Sequence, residues 1–264
     1  MKGFRGAVKG HVHPGPSSMK KRWPHRRVRR LGLALTLTLS ISTSLLPVAV
    51  GATGGGDGCN PGRQGDTVTR WDGAGRDYTG IGGIYGSIKV YSPWVSDWSS
   101  AWVMLWRDGS NVEHHVQAGW DEYSWGFRYV YFEYTWDGQG GWDRIDDAPP
   151  FSWINTTHTF TVLFNNPKPG EYTMEMDNGT TGEKYYTFSD FTPNNGQAYG
   201  ETHSAADQMA GGYNNKETFR NEHVWLPNQG WVPAALYAWK SSSWYGYDKP
   251  NATDENIWDG ACAN

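Results

Sequence analysis

Cysteine is nearly absent: the 264 residues hold only Cys59 and Cys262. No His-Glu-x-x-His occurs, and the adjacent His114 and His115 fall on an expected strand, where neighbours face opposite ways and chelate poorly. Neither a catalytic metal nor a cofactor is expected. There is no Gly-x-Ser-x-Gly elbow, and two cysteines at opposite ends of the chain supply no nucleophile of a familiar kind. A phosphate loop is missing as well. Acids are missing before Asp57, whereas ten of the 23 basic residues precede it. Beyond that point 13 bases stand against 27 acids, a net charge of −14. So acidic a protein repels nucleic acid. No Pro/Ser-rich linker or repeat divides the chain after residue 52, and one domain is expected there.

The basic start, the apolar run Leu31 to Val50 and the small residues Val50-Gly51-Ala52 together have the layout of a secretory signal over residues 1–52. A membrane-spanning helix is the alternative. Pro47 and the switch to the Gly-rich Thr53 to Gly58 favour cleavage, and with it a secreted protein that keeps no membrane contact. The pairs Arg26-Arg27 and Arg29-Arg30 leave twin-arginine export open, and Met19 is a second possible start. In an oxidising compartment Cys59 and Cys262 are expected to pair, which requires the first and last elements of the fold to be neighbours. Asn155, Asn178 and Asn251 each begin a glycosylation triplet.

After the signal the composition is rich in Trp, Tyr, Gly and Thr and poor in the Leu, Ala and Lys that fill helices. Strand-like runs recur between turn residues: Ile84 to Tyr91, Ala101 to Trp106, Val112 to Trp120, Arg128 to Trp136, His158 to Phe164, Glu171 to Met176, Lys184 to Phe188, Gln197 to His203, Thr218 to Trp225 and Ala234 to Trp239. About ten strands predict an all-β, antiparallel two-sheet sandwich of the jelly-roll or concanavalin-like kind. Residues 53–80 read as a short leading segment, with the sandwich over 81–264. A monomer is expected.

Residues two apart on a strand share a face. Gln197, Tyr199, Glu201 and His203 therefore lie together, as do Tyr129, Tyr131, Glu133 and Thr135, while Gln117 points away from the apolar set Val116, Ala118 and Trp120. Carboxylates and amides on an aromatic strand face are equipment for metal-free hydrolysis, of a glycoside by paired acids or of a peptide by a carboxylate that activates water. They equally suit a module that only binds sugar or peptide. The residues alone leave these three readings open, and with them a polypeptide or a polysaccharide as partner.

Tyr199-Gly-Glu-Thr-His-Ser-Ala-Ala-Asp-Gln-Met-Ala-Gly-Gly212, followed by Glu217-Thr-Phe-Arg-Asn-Glu-His-Val224, resembles the C-terminal part of the neprosin-type glutamic peptidase domain. Ile84 to Pro93 is similar to that domain's opening strand, Val116-Gln-Ala-Gly-Trp120 to its short motif, and Tyr134-Thr-Trp-Asp-Gly138 to its aromatic turn. The similarity runs in order over residues 80–225 or so, without the plant domain's cysteines or its long leading segment. It implies a metal-independent glutamic endopeptidase with Glu201 as catalytic glutamate and Gln117 at the position of the first acid. Glutamine paired with glutamate is the arrangement of the related eqolisin peptidases. Glu133 is a third candidate, and Tyr131, Tyr199, His203 and Trp120 are candidate substrate contacts.

Overall fold

Alternating apolar and polar side chains build most of the expected runs into strands, and pairing adds others that carry no such pattern. The computed structural model of the chain describes residues 58–107, 114–124, 128–137, 141–147, 154–179, 184–189 and 191–263. The expected signal lies outside them. The strands in chain order are β1 (Arg70–Asp77), β2 (Gly83–Lys89), β3 (Trp98–Trp106), β4 (His115–Tyr123), β5 (Arg128–Asp137), β6 (Gly141–Asp147), β7 (Thr157–Phe164) and β8 (Glu171–Met176). They continue with β9 (Lys184–Phe188), β10 (Asn195–Thr202), β11 (Gly211–Gly212), β12 (Asn215–Leu226), β13 (Gly230–Pro233), β14 (Tyr237–Lys240), β15 (Tyr245–Asp248) and β16 (Glu255–Asp259). One sheet runs β14-β1-β10-β3-β4-β5-β6, and a second runs β15-β16-β11-β12-β2-β7-β8-β9 with β13 beside β12. All pairs are antiparallel except β11 with β16. The all-β, two-sheet expectation is met.

The sheets share one core. Ala101, Val103 and Leu105 of β3, Val116, Ala118 and Trp120 of β4 and Phe132 of β5 face Ile84 and Ile88 of β2, Phe160 and Val162 of β7 and Met174 of β8. Gly200 lets Ile257 and Met209 of the facing layer pack close to β10: a Cβ there would stand 2.4 Å from Ile257 Cδ1 and 2.7 Å from Met209 Sδ, so a larger residue between Tyr199 and Glu201 would push both aside. The sandwich also starts before residue 81. β1, from the segment read as a leader, pairs with β10 over its full length and with β14 on its other side.

Cys59 and Cys262 form the disulfide, with their Cα atoms 5.7 Å apart, and bring the two ends of the described chain together. The Asp207-Gln208 step holds that region from within. Gln208 Oε1 accepts the backbone N–H of Cys59 at 2.8 Å and of Trp94 at 2.9 Å, while Asp207 Oδ1 accepts those of Ser96 at 2.7 Å and Asp97 at 2.9 Å. The Asp-Gln-Met part of the motif is thus structural, fixing the loop that launches β3.

Candidate functional site

Strand β3 is apolar on both faces, so alternation alone does not say which side is solvent. In the fold Ala101, Val103 and Leu105 take the core, and Trp102, Met104 and Trp106 turn outward. Register then aligns the outer face across neighbouring strands: Met104 opposes Gln117 on β4 and Gln197 on β10, Gln117 opposes Glu133 on β5, and Trp102 opposes Tyr199. The result is a cleft of about 560 Å³ walled by Trp71, Trp102, Met104, Trp106, Tyr199 and Trp239. Its polar groups are His115, Gln117, Glu133, Asn195, Gln197 and Glu201.

Two carboxylates in this cleft each bond a neighbour. Glu201 Oε2 accepts the indole N–H of Trp102 at 2.9 Å. Glu133 Oε1 accepts the Gln117 amide at 3.2 Å and lies 2.9 Å from His115 Nε2. Because a carboxylate only accepts, the Gln117 group beside it is the NH2 end. The Glu133 carboxylate thereby fixes which end of the amide is the donor. Gln117 itself is only 3 % exposed, so its orientation is set by protein rather than by water.

The aromatic wall is continuous. Tyr199 lies between Trp102, at 5.5 Å between ring centroids, and Trp239, at 6.0 Å, and Trp239 reaches Trp71 at 6.2 Å. Burial pushes the Tyr199 phenol above its ordinary range, which keeps it a neutral donor at any working pH. His203 packs on Trp98 at 4.2 Å and stands 3.8 Å from Glu201 Oε1, an approach that becomes an ion pair when the imidazole is protonated.

Of the residues expected from sequence, Gln117, Glu133, Glu201 and Tyr199 line this one cleft, and His203 sits beside Glu201. Trp120 does not. It is buried between the sheets, its indole N–H donating to Lys89 O at 2.9 Å, because residue 120 shares the inward parity of Val116 and Ala118. Tyr131 opposes Gly119 in register, and its side chain lies outside the described residues. Sequence reasoning placed Gln197 on the face of Glu201 without making it a candidate, missed Trp71, His115 and Asn195 as cleft residues, and left Trp102, Trp106 and Trp239 unassigned. His115 was readable in principle, since it shares parity with Gln117. Among the described residues no group of three or more His, Cys, Asp or Glu could hold a metal ion.

Solved structures show what this fold is similar to. Scytalido-glutamic peptidase bound to a transition-state analog inhibitor superposes with a TM-score of 0.54 at 15% identity, covering 72% of this chain and 98% of that one. The fold is similar to that of the eqolisin glutamic peptidases. A second complex of scytalido-glutamic peptidase, with a peptide-based transition-state analog, gives the same values. SCP-B, a member of the eqolisin family in complex with the tripeptide Ala-Ile-His, gives 0.53 at 14% identity over 72% and 98%. No family model matches the chain, and no curated protein matches it. The neprosin-type resemblance therefore stands on its short motifs alone.

Proposed function

We propose that this chain is a secreted, metal-independent glutamic endopeptidase that binds polypeptide in the outer cleft of the seven-stranded sheet and acts as a monomer in acid. The observation that carries the reading is the pair of held groups in one cleft, the Glu201 carboxylate fixed by Trp102 and the Gln117 amide fixed by Glu133. Similarity of fold to peptidases crystallised with peptide-like ligands supports it.

Each group has a task that its surroundings suit. Glu201, ionised, removes a proton from water as the water oxygen bonds to the scissile carbonyl carbon. The carbonyl π electrons move to oxygen, and the Gln117 amide donates to that oxyanion. When the tetrahedral adduct collapses, protonated Glu201 returns its proton to the amine nitrogen as the C–N bond breaks, and the carboxylate is restored. Glu133 acts through Gln117: it keeps the amide's NH2 end turned to the cleft. The aromatic wall of Trp71, Tyr199 and Trp239 gives the substrate's side chains an apolar surface, and His203, once protonated, favours the ionised form of Glu201.

The test is incubation of the purified protein with an unstructured peptide and with β-glucan from pH 3 to pH 7. Peptide is cut in acid by the parent, about two to four decades more slowly by Glu201→Gln and about two to three decades more slowly by Gln117→Ala. Sugar release with intact peptide, or a Glu201→Gln variant as fast as the parent, overturns the assignment.

A further inference from the structure

The opposite sheet carries a second cavity, of about 810 Å³, on its own solvent face. It is built from β12, β13, β2, β7 and β8. Register aligns Trp231, Trp225, Gly83 and Leu163 in one row, and His223, Tyr85, Thr161 and Glu175 in the next. The two indoles depend on glycines. A Cβ at residue 82 would stand 2.5 Å from Trp225 Cε3, and one at residue 83 would stand 3.0 Å from Trp231 Cη2. Both tryptophans are exposed, Trp225 by 39 % and Trp231 by 40 %, and Tyr85 steadies them through an edge contact with Trp231 at 4.8 Å. Large rings exposed side by side on one face mark a ligand-binding groove.

Polar groups gather at the other end of the same cavity. Asn165 Oδ1 accepts Gly170 N–H at 2.8 Å, so that side chain offers its NH2 end as a donor, and the amide of Asn166 lines the cavity beside it. Thr161 is 4 % exposed, and its hydroxyl has no hydrogen-bond partner among the described residues, a state that a ligand in the cavity relieves. Flat indole faces suit the C–H faces of a pyranose ring, while amide donors and a hydroxyl suit its alcohols, each both donor and acceptor. Charge adds little, because Glu175 is paired with Lys184 at 2.8 Å. An extended peptide is less well served. It would need unpaired strand edges, and β12, β2 and β7 are each already paired on both sides.

We infer that this face binds a neutral glycan chain, its pyranose rings stacked on Trp225 and Trp231 and its hydroxyls held by Thr161 and Asn165. The inference does not depend on the chemistry of the first cleft. It gives the protein a means of attachment to a sugar-coated surface while the other sheet stays free.

The protein is made in a bacterial host, so that Asn178, which also lines the cavity and begins a glycosylation triplet, carries no sugar of its own. Retention on insoluble cellulose, chitin and β-1,3-glucan is measured, then titration with the soluble hexasaccharide of whichever is retained. An unstructured peptide serves as the competing probe. Trp231→Ala and Trp225→Ala are each expected to weaken glycan binding by about tenfold or more, and Thr161→Val by a few-fold. Circular dichroism and peptide cleavage at the parent level show that the variants are folded, and Glu201→Gln should bind glycan as the parent does. Absence of binding to all three polysaccharides overturns the inference. So does binding that survives the double tryptophan variant, binding lost in Glu201→Gln, or peptide displacing glycan from this face.

Discussion

The indole N–H of Trp102 donates to Glu201 Oε2 at 2.9 Å, so the carboxylate proposed as general base is oriented by the central strand of its own sheet. Loss of that donor disfavours the ionised form. Trp102→Phe keeps the ring but not the N–H, and is expected to cost about one to two decades in kcat. The acid limb of the pH–rate profile should move to higher pH. A profile that keeps its limb while the rate falls would assign Trp102 to substrate packing instead.

Glu133 is expected to act on turnover through Gln117. Glu133→Ala removes the acceptor of the Gln117 amide and the partner of the His115 ring, weakening the hold on the amide's orientation. About a tenfold or greater loss in kcat with KM little changed is anticipated, since the oxyanion contact tightens in the transition state. Glu133→Gln retains an acceptor oxygen and should recover part of the rate. Equal loss in both variants would instead mean that the charge of Glu133 matters.

Stability should be greatest in acid and decline toward neutral pH. Burial pushes the Asp72 carboxyl up to about 8, with Lys240 opposing, and raises Glu222 to about 8, with Lys249 opposing and Asp254 adding. Burial, then the charge of Glu222, also holds Glu255 well above its ordinary value, although Tyr247 donates to Glu255 Oε2 at 3.0 Å. These acids stay protonated in the folded protein at pH values where the unfolded chain releases its protons. Their stabilisation is therefore complete below the ordinary carboxyl values, near 3.8 for Asp and 4.5 for Glu, and is lost as pH rises toward about 8. Asp66, which Arg70 holds well below its usual value, has the opposite sense and weakens the fold only as pH falls below 3.8. Thermal melts at pH 4, 6 and 8 should give falling Tm, and Glu222→Gln should flatten the fall. A Tm that rises over this range would contradict the burial of these acids.

The protein should contain no alkylatable thiol without reductant, by mass measurement under denaturing conditions. Closure over a sequence separation of 203 residues corresponds to at most about 5 kcal/mol in the chain-entropy model. A clear drop in Tm is expected for the double variant Cys59→Ser with Cys262→Ser. Two reactive thiols in the parent would refute the pairing.

Much of the fold was legible because its strands alternate, as in Gln197 to His203 and Arg128 to Trp136. β1 was not: Arg-Trp-Asp-Gly-Ala-Gly-Arg-Asp has two glycines and four charged residues, and it is a strand because β10 and β14 flank it. β16 likewise carries Glu255 and Asp259 into full burial, contrary to what those residue types prefer. The parity of Gln117 and Glu201 could be read locally. Their meeting in one cleft could not, because it depends on β3 lying between β4 and β10, an order fixed by pairing between strands far apart in sequence. Trp120 went astray because its motif was legible, whereas its inward parity was given too little weight.

The bond between Cys59 and Cys262 also changes how the chain meets proteolysis. All loops from residue 59 to residue 262 belong to one covalent ring, so a single cut anywhere among them opens the ring without releasing a fragment. The strand pairing across both sheets then holds the cut ends in register, since β1 and β14, or β2 and β12, stay joined whichever turn is severed. For a protein proposed to work among peptidases of its own kind, survival is counted in second cuts, not first ones.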